Sequence, residues 1–238
     1  MAEPAPDVAR AATAPLAGVR VVAVEQYGAG PWATLRITRL KFDGPWDIHG
    51  GAWTRFAALA EKSVGVRLDG KDPIDATDRI QGIDVLSISA SRPVELTPKI
   101  CDRIREFMQN GGLVLIDATD GRTDGAQVVR AALESLCPTG RGVLPADHPI
   151  YTGGIQGLPR LGDLRPTQAG TSLAKGGAPP PILTGTVNGR IAVLACPFDL
   201  LAGIDGPFIW NRIGYVNEDT RRLVGYMLAW KAGEVKAK

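Results

Sequence analysis

Apolar residues recur along this chain in two alternating rhythms. In ATLRITRLKF, Leu35, Ile37 and Leu40 alternate loosely with polar neighbours. The β-branched content and the following Asp43-Gly44 turn predict a strand. Trp53, Phe56, Ala57 and Ala60 then return at i, i+3, i+4 and i+7, the spacing of one helical face. VGVRL predicts a short strand, and IDVLSIS from Ile83 a fully buried one. Thr97 and Pro98 form an N-cap and first-turn pair, and Ile100, Cys101, Ile104, Phe107 and Met108 continue as a stripe that stops at Asn110-Gly111. GLVLIDA is the next buried strand, and Val128, Val129, Ala132, Leu133 and Leu136 a further helical stripe. Strand, helix, strand, helix is the pattern of a parallel sheet covered on both faces.

The remainder reads differently. Residues 138–181 are rich in Gly and Pro and lack periodicity, which predicts a long loop or lid. ILTGTV and RIAVLAC flank Asn188-Gly189, a dipeptide suited to the positive φ angles of a type I′ hairpin turn. A closing helix from Asn217 to Lys231 turns Leu223, Val224, Met227 and Leu228 to the core. The expected fold class is α/β: a three-layer sandwich with a mostly parallel sheet, helices on both faces and an antiparallel C-terminal hairpin. The expected organisation is a disordered leader over 1–17, an N-terminal extension over 18–34 and one α/β domain over 35–235.

Composition narrows the function classes. An apolar content of 45% with 22% charged residues is that of an ordinary soluble globule. Basic residues number 27 and acidic ones 25, net charge +2, with no Lys/Arg block, so the electrostatic footprint of a nucleic-acid binder is missing. Cys101, Cys137 and Cys196 are widely spaced in apolar contexts, fitting reduced core thiols rather than a disulfide framework or a zinc site. The start MAEPAPDVARAATAPLAG lacks a signal peptide's basic and apolar regions, and no run approaches the roughly 20 apolar residues of a membrane span. A cytoplasmic location is expected from the sequence as written. There is no phosphate loop, no G-x-S-x-G elbow and no G-x-G-x-x-G after a strand, so no nucleotide or dinucleotide cofactor is expected.

In open α/β sheets ligands bind beyond the carboxyl ends of the strands. Ser87 and Ser89 after IDVL, Asp117 and Asp120 after GLVLI, and Asp199 after RIAVLACPF are the candidates of that kind. Asp147-His148-Pro149 lies in the long loop. Folded back against Asp117, Asp120 or Asp199, His148 would complete a metal site or an acid–base pair; otherwise Asp147 serves a turn before Pro149 and His148 is structural. Asp43, Trp46, Asp47 and His49 form a second cluster, in which the indole either stacks on a flat ligand face or packs on a Gly-Pro turn. Phe208, Trp210 and Tyr215 make an aromatic-rich loop suited to a partner surface. Candidate ligand-binding residues are therefore Asp43, Trp46, Asp117, Asp120, Asp147, His148 and Asp199. Asp117, Asp120 and His148 are the catalytic candidates, and no metal site is firmly predicted.

RLKFDGPWD, GIDVLSIS, ELTPKICDRIREFMQNGGLVLIDATDG, LPADHPIY and NGRIAVLACPFDLLAGIDG, in that order, resemble the bacterial family of domain of unknown function 4159. That family is similar to the class I glutamine amidotransferase-like group, which implies a flavodoxin-like fold, and its members are often exported or membrane-anchored. In true amidotransferases the strand like GLVLIDATDG leads to an elbow bearing a cysteine nucleophile; here the corner carries Asp117-Ala118-Thr119. The resemblance thus implies a non-catalytic domain that binds an unknown small molecule or protein, or serves as a scaffold, at a polar cleft. A metal- or carboxylate-dependent hydrolase in the same cleft is the alternative. PLAGVRVVAVEQYGAGPWATL, over residues 15–35, resembles the opening of the family III CoA-transferases, implying a third reading as a fragment or fusion of such an enzyme.

Overall fold

A computed structural model describes residues 31–119, 125–173, 181–207 and 209–236. Strand β1 (Ala33–Lys41) leads to helix α1 (Ala52–Val64), then β2 (Val66–Gly70), a two-residue β3 (Ile74–Asp75) and β4 (Val85–Ala90). Helix α2 (Pro98–Gln109), β5 (Leu113–Ala118) and α3 (Gly125–Leu136) follow, then β6 (Arg141–Val143), α4 (Pro149–Thr152) and α5 (Gln168–Leu173). The chain ends with β7 (Leu183–Val187), β8 (Arg190–Cys196), α6 (Leu200–Asp205) and α7 (Asn217–Lys236). Eight strands form one sheet in the order β2-β1-β4-β5-β8-β7-β6, with β3 also on β1. All pairings are parallel except β6 with β7 and β7 with β8.

The expected elements form for identifiable reasons. Pro98 opens α2 with φ already set, and the Thr97 hydroxyl accepts the Ile100 N–H at 3.4 Å. Asn188 and Gly189 adopt φ of 52° and 75°, the turn that twists β7 onto β8. β4 and β5 are buried at every position because helices cover both faces. One core joins Leu35, Ile37, Leu113 and Leu194 of the sheet to Phe56 of α1, Leu201 of α6 and Leu228 of α7. The other joins Leu86, Ile88, Ile116 and Val193 to Ile104 of α2 and Val129 of α3. The result is three layers.

The region expected as a long loop or lid over 138–181 carries β6, α4 and α5 among its described residues. Leu144, Ile150, Leu158 and Leu161 anchor it in the core that α7 covers. These apolar residues are spaced too irregularly to reveal elements of three to six residues.

The layer arrangement sets the position of the crevice. From β1 the chain passes through α1 to β2 on one side, whereas from β4 it passes through α2, on the opposite face, to β5 on the other side. The sheet therefore has its topological switch between β1 and β4, and ligand crevices open beyond the carboxyl ends of such a strand pair.

Candidate functional site

Strand alternation carries polar side chains onto the α1, α6 and α7 face at this end of the sheet. Arg39 follows Leu35 and Ile37 on that face and is in register with Ser87; Ser89 is in register with Asp117, and Asp117 with Cys196. Asp117 is 4% exposed. One of its oxygens accepts the Ser89 hydroxyl, and the other accepts the backbone N–H groups of Leu200 and Leu201, both at 3.0 Å. Asp199, also buried, accepts the Ala202 N–H at 2.8 Å as the N-cap of α6. Two carboxylates therefore share the start of one short helix. Burial, then the charge of Asp199, push the Asp117 carboxyl up to about 7. The beginning of α6 is held by the protein's own acids.

The loop after β1 is organised by charge. Arg39 forms an ion pair with Asp47, and the Arg39 and Lys41 cations lie 5.2 and 5.5 Å from the centre of the Trp46 ring. His49 adopts φ of 59°, and its Nδ1 lies 3.5 Å from Asp205 at the end of α6. Arg55, on the first turns of α1, forms an ion pair with the same carboxylate. Between them Gly51 begins α1, where no side chain caps the helix and no acidic residue stands in the first turn. A Cβ at Gly51 would come within 2.8 Å of the Arg55 guanidinium, so glycine permits this approach. The start of this 13-residue helix thus lies at the carboxyl end of the sheet without a side-chain cap, its Ala52 N–H donating to the His49 carbonyl at 2.9 Å, with Arg39, His49 and Arg55 beside it.

The expected site residues separate into three groups. Asp117, Asp199 and Ser89 come together as the support of α6. Trp46 stands in the β1 loop beneath two cations, and Asp43 is exposed on the same loop. Asp147 and His148 lie elsewhere. The His148 ring packs edge-on against Trp230 at 5.2 Å, and its Nδ1 accepts the Ile150 N–H at 3.2 Å, capping α4. Burial lowers its pKa, favouring the neutral ring that can accept this bond. The neighbouring Lys231 ammonium is seated on the Gly111 carbonyl ahead of β5. Six residues of strand rise place that carbonyl about 20 Å from Asp117. Asp120 lies outside the described residues. Among the described residues no three His, Cys, Asp or Glu side chains gather as a metal-binding group.

Arg39, Arg55 and Asp205 were not signalled by motif. Arg55 and Asp205 are 150 positions apart and meet only because α1 packs on α6. A capping pattern was present in the sequence, however: Asp199 precedes LLAGID and Gly206 follows it.

Fold and side-chain placement together define an α/β domain with a cluster of polar side chains at the carboxyl end of a mostly parallel sheet. The family model described as Domain of unknown function (DUF4159) matches residues 36–224, and the chain belongs to that family. The matched segment begins after the stretch 15–35. No curated protein matches the chain. No helix among the described residues is long and apolar enough to cross a membrane.

Proposed function

We propose that this domain binds a small anionic ligand in the crevice between the ends of β1 and β4, as a binding module rather than a catalyst. The observation that carries this reading is the uncapped α1 start flanked by Arg39, His49 and Arg55. A helix start offers unpaired N–H groups and a partial positive charge, and guanidinium groups add directional donors. Asp47 and Asp205 hold Arg39 and Arg55 in place without capping the helix. Inorganic phosphate and citrate are the probes. Either anion raises the melting temperature of the wild-type protein, in proportion to RT ln(1 + [L]/Kd), and Arg55→Ala abolishes the rise. A wild-type melting temperature unchanged by both anions contradicts the reading.

Hydrolysis in the same crevice is favoured by one observation, the His49 contact with Asp205, since a carboxylate orients an imidazole that acts as a general base. On this second reading the protein hydrolyses p-nitrophenyl phosphate or acetate, and His49→Asn, which keeps a side chain tolerant of positive φ, removes the activity. Equal background rates for the two proteins count against it.

A further inference from the structure

Among the described residues the sheet ends at β6. Antiparallel strands turn alternate residues toward and away from their neighbour. The Leu144 N–H donates to the Ile182 carbonyl at 2.8 Å and the Thr186 N–H to the Gly140 carbonyl at 2.9 Å, and Gly142 lies in register with Thr184 between them. Gly140, Gly142 and Leu144 therefore direct their backbone groups to β7, and the N–H and C=O groups of Arg141 and Val143 point outward. Residues 141–143 are all exposed, Val143 by 52%, and no described strand pairs with them on that side.

The side chains leave this edge accessible. Arg141 and Val143 share the α3 side of the strand, where the Arg141 guanidinium pairs with Glu134 at 2.7 Å. A concavity of about 520 Å³ lies between α3 and β6, with Leu133, Val143 and Leu183 in its lining beside that ion pair. Edge strands are ordinarily blunted by unpaired charge, by proline or by a bulge. Here the two outward residues are one charge-compensated arginine and one valine, on either side of a glycine.

We propose that β6 pairs with β6 of a second copy of this chain, antiparallel about a two-fold axis at Gly142. The pairing is self-complementary: Arg141 exchanges backbone hydrogen bonds with the partner's Val143, and Val143 with the partner's Arg141, so every outward group finds its match. Like charges are not set opposite one another, because each arginine faces a valine. A second copy offers a strand that is already ordered, whereas a disordered peptide loses backbone entropy at each residue it fixes, which a contact this short does not return. Small interfaces associate weakly, and the dissociation constant is on the order of 100 µM.

The test is sedimentation equilibrium of the full chain from about 1 µM to about 1 mM, where the mean mass rises from that of one chain toward that of two. Hydrogen exchange at the upper concentration slows at the amides of Arg141 and Val143, while that of Gly142, already directed to β7, is unchanged. Val143→Pro removes an outward N–H and no bond to β7, a proline position that edge strands tolerate. It keeps its melting temperature and stays a monomer. Charge tests the register: Val143→Glu sets a carboxylate opposite the partner's Arg141 and Val143→Lys an ammonium, so the first associates about 3- to 10-fold more tightly than the second. A wild-type mass that stays at one chain, as expected if this edge takes an unrelated extended segment instead, overturns the proposal. So does association that is unchanged in Val143→Pro, or equal in Val143→Glu and Val143→Lys.

Discussion

Burial and a second carboxylate act in the same direction on Asp117. Its folded pKa of about 7 lies above the ordinary value of 3.8, so the folded state retains a proton that the unfolded chain has released between those values. Stability therefore falls as pH rises through that window and levels off above it, by roughly 1–4 kcal/mol in total. Asp117→Asn mimics the protonated group: its oxygen still accepts from Leu200 and Leu201, and its NH₂ donates to Ser89. Urea unfolding from pH 4 to 8 accordingly shows a sloping stability for the wild type and a flatter one for Asp117→Asn. Equal slopes would show that Asp117 is ionised throughout. Asp117→Ala instead strands buried donors; it costs about 2–4 kcal/mol near pH 4 and less toward pH 8, where the wild-type stability has fallen. The buried aspartate at the end of β5 thus has a structural task, the anchoring of α6.

At the scale of elements, stability is concentrated at ends and turns. Asn188 supplies the left-handed residue ahead of Gly189 in the β7–β8 turn. Asn188→Ala is expected to cost about 1 kcal/mol and Asn188→Gly almost nothing, read as shifts in urea midpoint at constant slope. This hairpin and α2 were legible in the sequence because Asn-Gly and Thr-Pro act locally, within one turn of chain. Helix α6 was less so, since six residues do not establish a helical period, and only its flanking Asp199 and Gly206 betray it. The β1 loop shows the same limit for the site. Asp47, Trp46 and His49 stood out as a cluster, but their partners Arg39 and Asp205 depend on strand register and on α1 packing across α6. His148 was ambiguous because nothing in a Pro- and Gly-rich segment says to which end of the sheet it returns.

Across the whole molecule, the two ends of the sheet do different work. At the amino ends of the strands, Lys231 and Arg190 donate to the carbonyls of Gly111, Met108 and Gly112 and share Glu234. This network fastens α7 to the end of α2 and the start of β5. Lys231 is 2% exposed, so Lys231→Ala removes the donor to the Gly111 carbonyl and the partner of Glu234 and costs about 2–4 kcal/mol, measured by urea unfolding. It leaves anion binding unchanged below its own melting temperature, because the crevice is at the other end. There the strands deliver Arg39, Ser87, Ser89 and Asp117 to one face, and α1 starts uncapped beside them. The most direct test of this division is a titration of ¹⁵N-labelled protein with inorganic phosphate, followed amide by amide. Anion binding beside α1 shifts residues 49–55 and those around Arg39, and the shifts are lost in Arg55→Ala. Spectra that do not change, or shifts centred on Lys231 and Glu234, would contradict it.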